Sequence, residues 1–535
     1  MKWVRLAEIR SLLAGIGAGW VAAADDPPAM LAAIRSAALI GIDAYDVVVE
    51  VDAAPGLPQW TLVGLPIGAV KESRERVGAA LVNSGFTLPP RRITINLAPA
   101  DVRKEGTAFD LPIALGILVA TGQLDSTAVD RRVFVGELGL DGRIRAIRGA
   151  LSIARRAAKA GIREVVIPLA NHAEASRVSS VRLGAPEDLR SLVADLREGA
   201  MPWMQDTAPV SLPRHDDLDI ADVVGQDTAK RALEIAAAGG HNLLLLGPPG
   251  AGKTMLARRL PGIFPELTEE ELLEVIAIHS VAGTLINEST ITCVRPFRAP
   301  HHSISSAGLI GGGSSPRPGE VSLAHNGVLF LDEMLEFPRF VLDGLRQPLE
   351  DGRVVISRAS SSVKFPARFT LVGATNPCPC GRLGDSAALC TCSVTDVERY
   401  ASRLSGPLAD RIDMHVVVGS VSLADLGTVA AGESSASIRR RVATARNLQT
   451  SRFARVRGVT CNAHASGRWI DTSADIHQDA RTMLQHAAGA LSLSARGYHR
   501  VLKVARTIAD LDESPLVVNH HVAEAIRFRA VTRMR

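Results

Sequence analysis

The sequence predicts an α/β protein, with a mixed α and β N-terminal region, a central strand–loop–helix region and a helical C-terminal region. Three observations carry this. From about Ala38 to Leu196, short β-branched runs alternate with stretches of helical spacing. His241 to Leu260, HNLLLLGPPGAGKTMLARRL, reads as a buried strand, a glycine-rich loop and a helix. The last hundred residues are mostly of helical pattern. A chain of 535 residues exceeds one ordinary core, so two or three domains are expected. Its 47% hydrophobic and 22% charged residues are those of a globular protein. Sixty Lys and Arg against 56 Asp and Glu leave a net charge of +4, too little to argue for a nucleic-acid partner by itself. No run reaches the roughly 18 apolar residues that a membrane helix needs.

The elements follow in order. MKWVRLAEIRSLLAGIGAGWVAAADD loosely imitates a secretory signal, and its GIGAG lacks the spacing and preceding strand of a dinucleotide fingerprint. Residues 1–29 are therefore read as an N-terminal extension, consistent with a mis-set start. DAYDVVVEVD, RRITINL and RVFVGEL are strand-like, whereas VKESRERVGAALVNSG and GALSIARRAAKAG have helical spacing and end in glycine. REGAMPWMQDTAPVSLPRHDD has three prolines and no apolar period, the composition of a linker.

In the central region Gly247, Pro248, Pro249, Gly250, Ala251, Gly252, Lys253 and Thr254 fit G-x-x-x-x-G-K-T. Such a loop turns backbone N–H groups and a helix N-terminus toward phosphate oxygens. Its lysine reaches the β- and γ-phosphates, and its threonine can hold Mg²⁺. GVLFLDE follows some eighty residues on and ends in Asp332, suited to Mg²⁺, and Glu333, suited to polarising water. FTLVGATN ends in Asn376, an amide able to orient that water. SGPLADRID carries Arg411 and LSARGYHR carries Arg496, cations of the kind that stabilise charge on a transferring phosphoryl group.

In that order these motifs resemble an AAA+ ATPase. RPFRAPHHSISSAGLIGGG, PGEVSLAHNGVLFLDEM, RQPLEDGRVVISRA, NPCPCG and SGPLADRID resemble, more narrowly, the Mg-chelatase-like ComM/YifB family of bacterial AAA+ proteins. The resemblance runs from about Met30 to the C-terminus. It implies ATP and Mg²⁺ as cofactors, a cytoplasmic homo-hexameric ring with ATP between subunits, and Val224 and Gln226 lining the adenine pocket. It further implies that Asn376 is the sensor-1 residue, Arg411 the arginine finger acting on a neighbour and Arg496 the sensor-2 arginine. The ComM branch is linked to branch-migrating DNA helicase activity. The rival class is a chelatase-type remodeller of a partner protein or metal-insertion complex, against which no D-x-S-x-S segment is present. KEGTAFD resembles the serine region of Lon-type protease domains, but Ala108 stands at the nucleophile and Leu151 at the catalytic lysine, so no protease activity is expected. The organisation read from these matches is a degenerate Lon-protease-like α+β domain over 30–198, a linker over 199–217, an AAA+ core over 218–420 and a helical lid over 421–535.

Four further features bear on partners. EDGRVVISRASSSVKFPARFTLVG reads as a β-hairpin ahead of sensor 1, placed as in the MCM helicases. Arg358 and Lys364 on it would grip DNA phosphates. Arg91, Arg92 and Lys104 form a weaker candidate for the same role. Seven arginines between Arg439 and Arg457 are either a DNA-facing stripe or the solvated side of a packed helix. His301 and His302 are read as polar packing rather than metal ligands. Cys378, Cys380, Cys390 and Cys392 form two C-x-C pairs, which either hold one structural Zn²⁺ or pack without metal. The zinc reading is preferred, although C-x-C is tighter than the usual spacing.

Overall fold

The computed structural model describes residues 31–204, 210–211, 218–285, 291–313, 316–358, 361–384, 389–420 and 432–530. The N-terminal extension, parts of the linker and the hairpin tip at 359–360 lie outside the described residues, as does the side chain of Arg358.

Alternating apolar residues build an eight-stranded mixed sheet from β1 (Ala32–Ile40), β2 (Asp43–Ala54), β3 (Gln59–Val63), β4 (Arg92–Ala98), β5 (Arg132–Phe134), β6 (Glu164–Val166), β7 (Arg182–Gly184) and β8 (Trp203–Met204). The spatial order is β8-β7-β6-β5-β1-β2-β4-β3. β1 and β2 pair antiparallel from Ile40↔Asp43 to Ala32↔Val51, and Val47, Val49 and Val51 point into the core at period two. α1 (Ser73–Asn83), α2 (Asp110–Ala120) and α3 (Ala150–Lys159) cover the sheet. DLPIALGILVA is apolar all round because all eleven residues of α2 are buried. Asp110 at its start is held by Arg76, with Nε at 2.8 Å from the carboxylate.

The central sheet is wholly parallel: β9 (Leu243–Leu246), β10 (Phe297–Arg298), β11 (Val328–Leu331), β14 (Thr370–Thr375) and β15 (Met414–Val417), in the order β10-β11-β14-β9-β15. Before β14 stands a hairpin of β12 (Arg353–Arg358) and β13 (Ser361–Pro366). Helices cover both faces of this sheet, which is why its strands are continuous apolar runs rather than alternating ones. α4 (Asp227–Gly239), α5 (Lys253–Ile263) and α6 (Glu269–Ala282) belong to this layer. Leu151 of α3 packs with Leu272, Val275 and Ile276 of α6, joining the two sheets' surroundings.

The C-terminal helices α7 (Ser435–Phe453), α8 (Gln478–Ala490), α9 (Ala495–Leu511) and α10 (Asn519–Ala530) share one core with α4, α5 and β15. Ile438, Val442 and Ala445 are its contribution from α7. Four of the seven arginines, Arg439, Arg441, Arg446 and Arg452, are engaged within the chain. Arg439 donates to Gly262 O at 2.9 and 2.6 Å and Arg446 to Ala237 O at 2.9 and 2.8 Å, neutralising the carbonyl ends of α5 and α4. Arg441 pairs with Glu234 and Glu433, and Arg452 with Asp510.

Fully buried Asp510 accepts from Arg452 at 2.8 and 2.5 Å, from Arg506 Nε at 3.1 Å and from Asn462 Nδ2 at 2.8 Å. Asp510→Ala strands two guanidinium groups, so a loss of about 3–5 kcal/mol is expected, read as a lower thermal unfolding midpoint. A change within about 0.5 kcal/mol contradicts this role.

Candidate functional site

At the C-terminal edge of the parallel sheet, β9 runs through Gly247 to Gly252 into α5. β9 lies between β14 and β15, so the connections diverge here and leave a crevice. Gly250 (φ +79°) and Gly252 (φ +86°) adopt the left-handed backbone the loop requires. A Cβ on Gly247 would stand 2.2 Å from Val418 O. Lys253 is buried, and its Nζ donates to Gly247 O at 2.7 Å, Pro248 O at 2.9 Å and Asn376 Oδ1 at 3.1 Å. Burial pushes its ammonium pKa down, and the nearby Asp332 and Glu333 carboxylates act in the opposite direction. Thr254 Oγ1 donates to Asp332 Oδ2 at 2.7 Å, and Glu333 N to Asp332 Oδ1 at 3.0 Å. Glu333 sits at φ +49°, a conformation that costs a residue with a Cβ of order 1 kcal/mol or more and clusters at functional sites. Gln226 Nε2 donates to Gly419 O at 2.6 Å, and Val224 is half-buried in the same loop. Gly419, Gly247 and Pro248 line a cavity of ≈ 150 Å³.

This donor set fits a Mg²⁺-bound phosphate chain. The glycine cradle has no room for a Cβ at Gly247, the buried ammonium hydrogen-bonds only uncharged oxygens, and a hydroxyl and a carboxylate already stand together.

Arg411 and Arg496 stand elsewhere. Arg411 O accepts from Asn242 Nδ2 at 3.0 Å, at the start of β9, whereas Lys253 follows the end of that strand. From Asn242 to Gly247 the strand climbs roughly 16 Å. Arg411 donates to Pro407 O at 2.7 Å and pairs with Glu350. The Arg411 guanidinium holds the Glu350 carboxyl below its usual range, with Arg496 and Arg500 adding to the effect. Arg411, Arg496, Glu350, Arg500 and Lys503 line one cavity of ≈ 550 Å³. The two arginines are thus together, and apart from Lys253.

On the hairpin, Arg358 pairs with Ser361 and Lys364 with Val355, so register places the two positions on opposite faces. Val354, Ile356, Val363 and Phe365 are buried in a cluster that Leu39 and Ile42 of the N-terminal sheet also touch, and Lys364 is exposed. The cysteine Sγ atoms lie within 4.8 Å of one another. In the N-terminal region Ala108 and Leu151 sit in apolar clusters. Lys104 is fully buried with Nζ on Pro99 O, which removes it from any surface shared with Arg91 and Arg92.

Three residues of this geometry were not legible as site residues. His302 Nδ1 lies 3.7 Å from Glu333 Oε2, its adjacent partner His301 instead bonding Ser303. Glu350 and Arg500 meet the arginines from distant segments, and no local spacing signals that.

Comparison with known proteins covers most of the chain. Residues 219–426 match the family described as magnesium chelatase, subunit ChlI, residues 49–171 that of subunit ChlI of Mg-chelatase, and residues 432–529 the ChlI C-terminal family. Competence protein ComM of Haemophilus influenzae is 44% identical over 509 residues, covering 94% of this chain and 98% of that protein. YifB of Escherichia coli K12 is 43% identical over 508 residues, with the same coverage. Lon protease 2 of Bacillus subtilis is 28% identical over 179 residues, 30% of this chain and 32% of its own.

Gly247→Ala must force the loop from β15, and overpacking of this kind costs about 1–3 kcal/mol. A lowered unfolding midpoint is expected; an unchanged midpoint contradicts the close approach.

Proposed function

The chain belongs to the Mg-chelatase-like ComM/YifB family, and from that premise we propose that it is a Mg²⁺-dependent AAA+ ATP hydrolase acting as a hexameric DNA motor in branch migration. The observation that carries the reading is the separation of Lys253, Thr254, Asp332 and Asn376 at one edge of a parallel sheet from Arg411 and Arg496 at the other. Arg411 is anchored roughly 16 Å of strand from its own chain's loop, and Arg496 lines the same cavity, which supports the reading that each serves a neighbour's loop.

Lys253 and the loop amides hold the phosphates, Thr254 and Asp332 hold Mg²⁺, and Val224 and Gln226 border the base. Bound Mg·ATP supplies the phosphoryl group and neutralises part of its charge. Glu333 takes a proton from water that Asn376 orients, and the neighbour's Arg411 and Arg496 steady the developing negative charge. Releasing Arg411 for this task means breaking its pair with Glu350. The hairpin, with Arg358 and Lys364, is the DNA grip, and its buried base ties it to the N-terminal sheet. The spans 30–198, 218–420 and 421–535 are read as a Lon-like scaffold without protease chemistry, the motor core and its lid. Ala108 and Leu151 in apolar surroundings support the loss of that chemistry. No helix among the described residues is long and apolar enough to cross a membrane, and the cytoplasm is the proposed location. The four cysteines are proposed as ligands of one structural Zn²⁺.

ATP turnover with and without forked or three-stranded DNA tests this, alongside Lys253→Ala and Arg358→Ala. Expected are DNA-stimulated turnover and strand movement in the native chain, loss of turnover by about 10² or more in Lys253→Ala, and weakened, salt-sensitive DNA binding in Arg358→Ala. Equal turnover without DNA and no strand movement contradict the motor and favour the chelatase-type remodeller.

A further inference from the structure

The first cysteine comes two residues after Asn376, just past the end of β14, and the convergence of four sulfurs there needs an explanation that packing does not supply. Among the described residues of 377–392 only Cys378 and Gly381 are buried, and Leu389 is 89% exposed. Yet the four described cysteines stand close together. Cys378 Sγ stands 3.4 Å from Cys380 Sγ and 3.7 Å from Cys390 Sγ, and Cys380 Sγ stands 3.6 Å from Cys390 Sγ. A disulfide closes at about 2.05 Å. A tetrahedron of sulfurs around Zn²⁺ at about 2.3 Å has edges of about 3.8 Å, within a few tenths of these spacings. The backbone amides of Arg382 and Thr391 donate to Cys380 Sγ, the outer hydrogen bonding that orients thiolate ligands. Four sulfurs leave no open position, so the site is one that builds structure rather than activates water.

The same loop lies on the phosphate loop. Gly381 N donates to Cys378 O at 2.9 Å, closing a turn at φ +78°. A Cβ on Gly381 would stand 2.6 Å from Pro249 Cδ and 2.9 Å from Pro249 Cγ. Pro377, Leu383 and Gly384 face Gly247 and Pro248 across the ≈ 150 Å³ cavity. Asn376 itself bonds Lys253 Nζ.

We propose that Zn²⁺ on Cys378, Cys380, Cys390 and Cys392 clamps Gly381 onto Pro249 and fixes Asn376 at Lys253, so that metal occupancy is a precondition of ATP turnover. This deepens the zinc and hydrolase readings above and rests on both. The clamp acts by position alone; the metal contacts neither nucleotide nor water.

The test begins with metal content of the full chain, purified reduced and without chelator. One zinc per chain is expected, and Co²⁺ exchanged for it should show thiolate charge-transfer absorption. Stripping the metal should raise amide hydrogen exchange across residues 247–254 by about tenfold. Cys390→Ser with Cys392→Ser should do the same and lower ATP turnover by about tenfold or more. Gly381→Ala should keep its zinc and still lose turnover, separating the contact from the metal. No retained zinc or Co²⁺ overturns the proposal, and so does unchanged exchange at 247–254 after stripping. Unchanged turnover in a zinc-free double variant overturns it as well. The exchange readout needs no hydrolysis, so absence of ATP turnover in the native chain counts against the hydrolase reading and leaves the clamp decided by exchange.

Discussion

A buried ammonium at the end of a parallel strand is the constraint around which the rest is arranged. Lys253 sits among the carbonyls of Gly247 and Pro248 and the amide of Asn376, with carboxylates near but not bonded to it. A buried charge whose partners are all neutral dipoles is expensive unless an anion comes to it. Everything that touches this group follows from keeping it in place. β14 delivers Asn376, β11 delivers Asp332 and Glu333 through a left-handed backbone turn, and the loop after β14 lies over Pro249.

Sheet polarity sets where the remaining charged groups stand. All five central strands run the same way, so one edge gathers loop, acids and amide, and the other gathers the segment before β15 and the C-terminal helices. Arg411 is held there by Glu350, and Arg500 is held by buried Asp413. α7 contributes by packing: Arg439 and Arg446 neutralise the ends of α5 and α4, and Arg452 pairs with Asp510 of α9, the helix that carries Arg496. The N-terminal region braces the hairpin through Leu39 and Ile42 and contacts α6 through Leu151 of α3. Leu151 is therefore an interface residue.

Much of this was legible in the sequence, for physical reasons. The strand–loop–helix around Gly247–Thr254, the hairpin over Arg353–Pro366, and the helix α7 are each written in local spacing. The strands DAYDVVVEVD and RRITINL became β2 and β4, and the helical runs before Asn83 and Lys159 became α1 and α3. What spacing does not encode is long-range charge pairing. The arginine run between Arg439 and Arg457 left a DNA surface and a packed helix equally open, because its partners Gly262, Ala237 and Asp510 lie far off in the chain. Burial of Lys104 is likewise invisible in KEGTAFD, since the carbonyl it meets depends on how the preceding loop turns back. His302 was read as packing and lies beside Glu333 for the same reason.

The central claim is that one chain's Lys253 works with another chain's Arg411. Mixing Lys253→Ala chains with Arg411→Ala chains tests it directly, because each is expected to be inactive alone. Random co-assembly leaves roughly one interface in four with both groups intact, so ATP turnover should recover to about that fraction of the native rate. No recovery in assemblies shown to contain both chains, or native turnover by Arg411→Ala alone, would contradict the account.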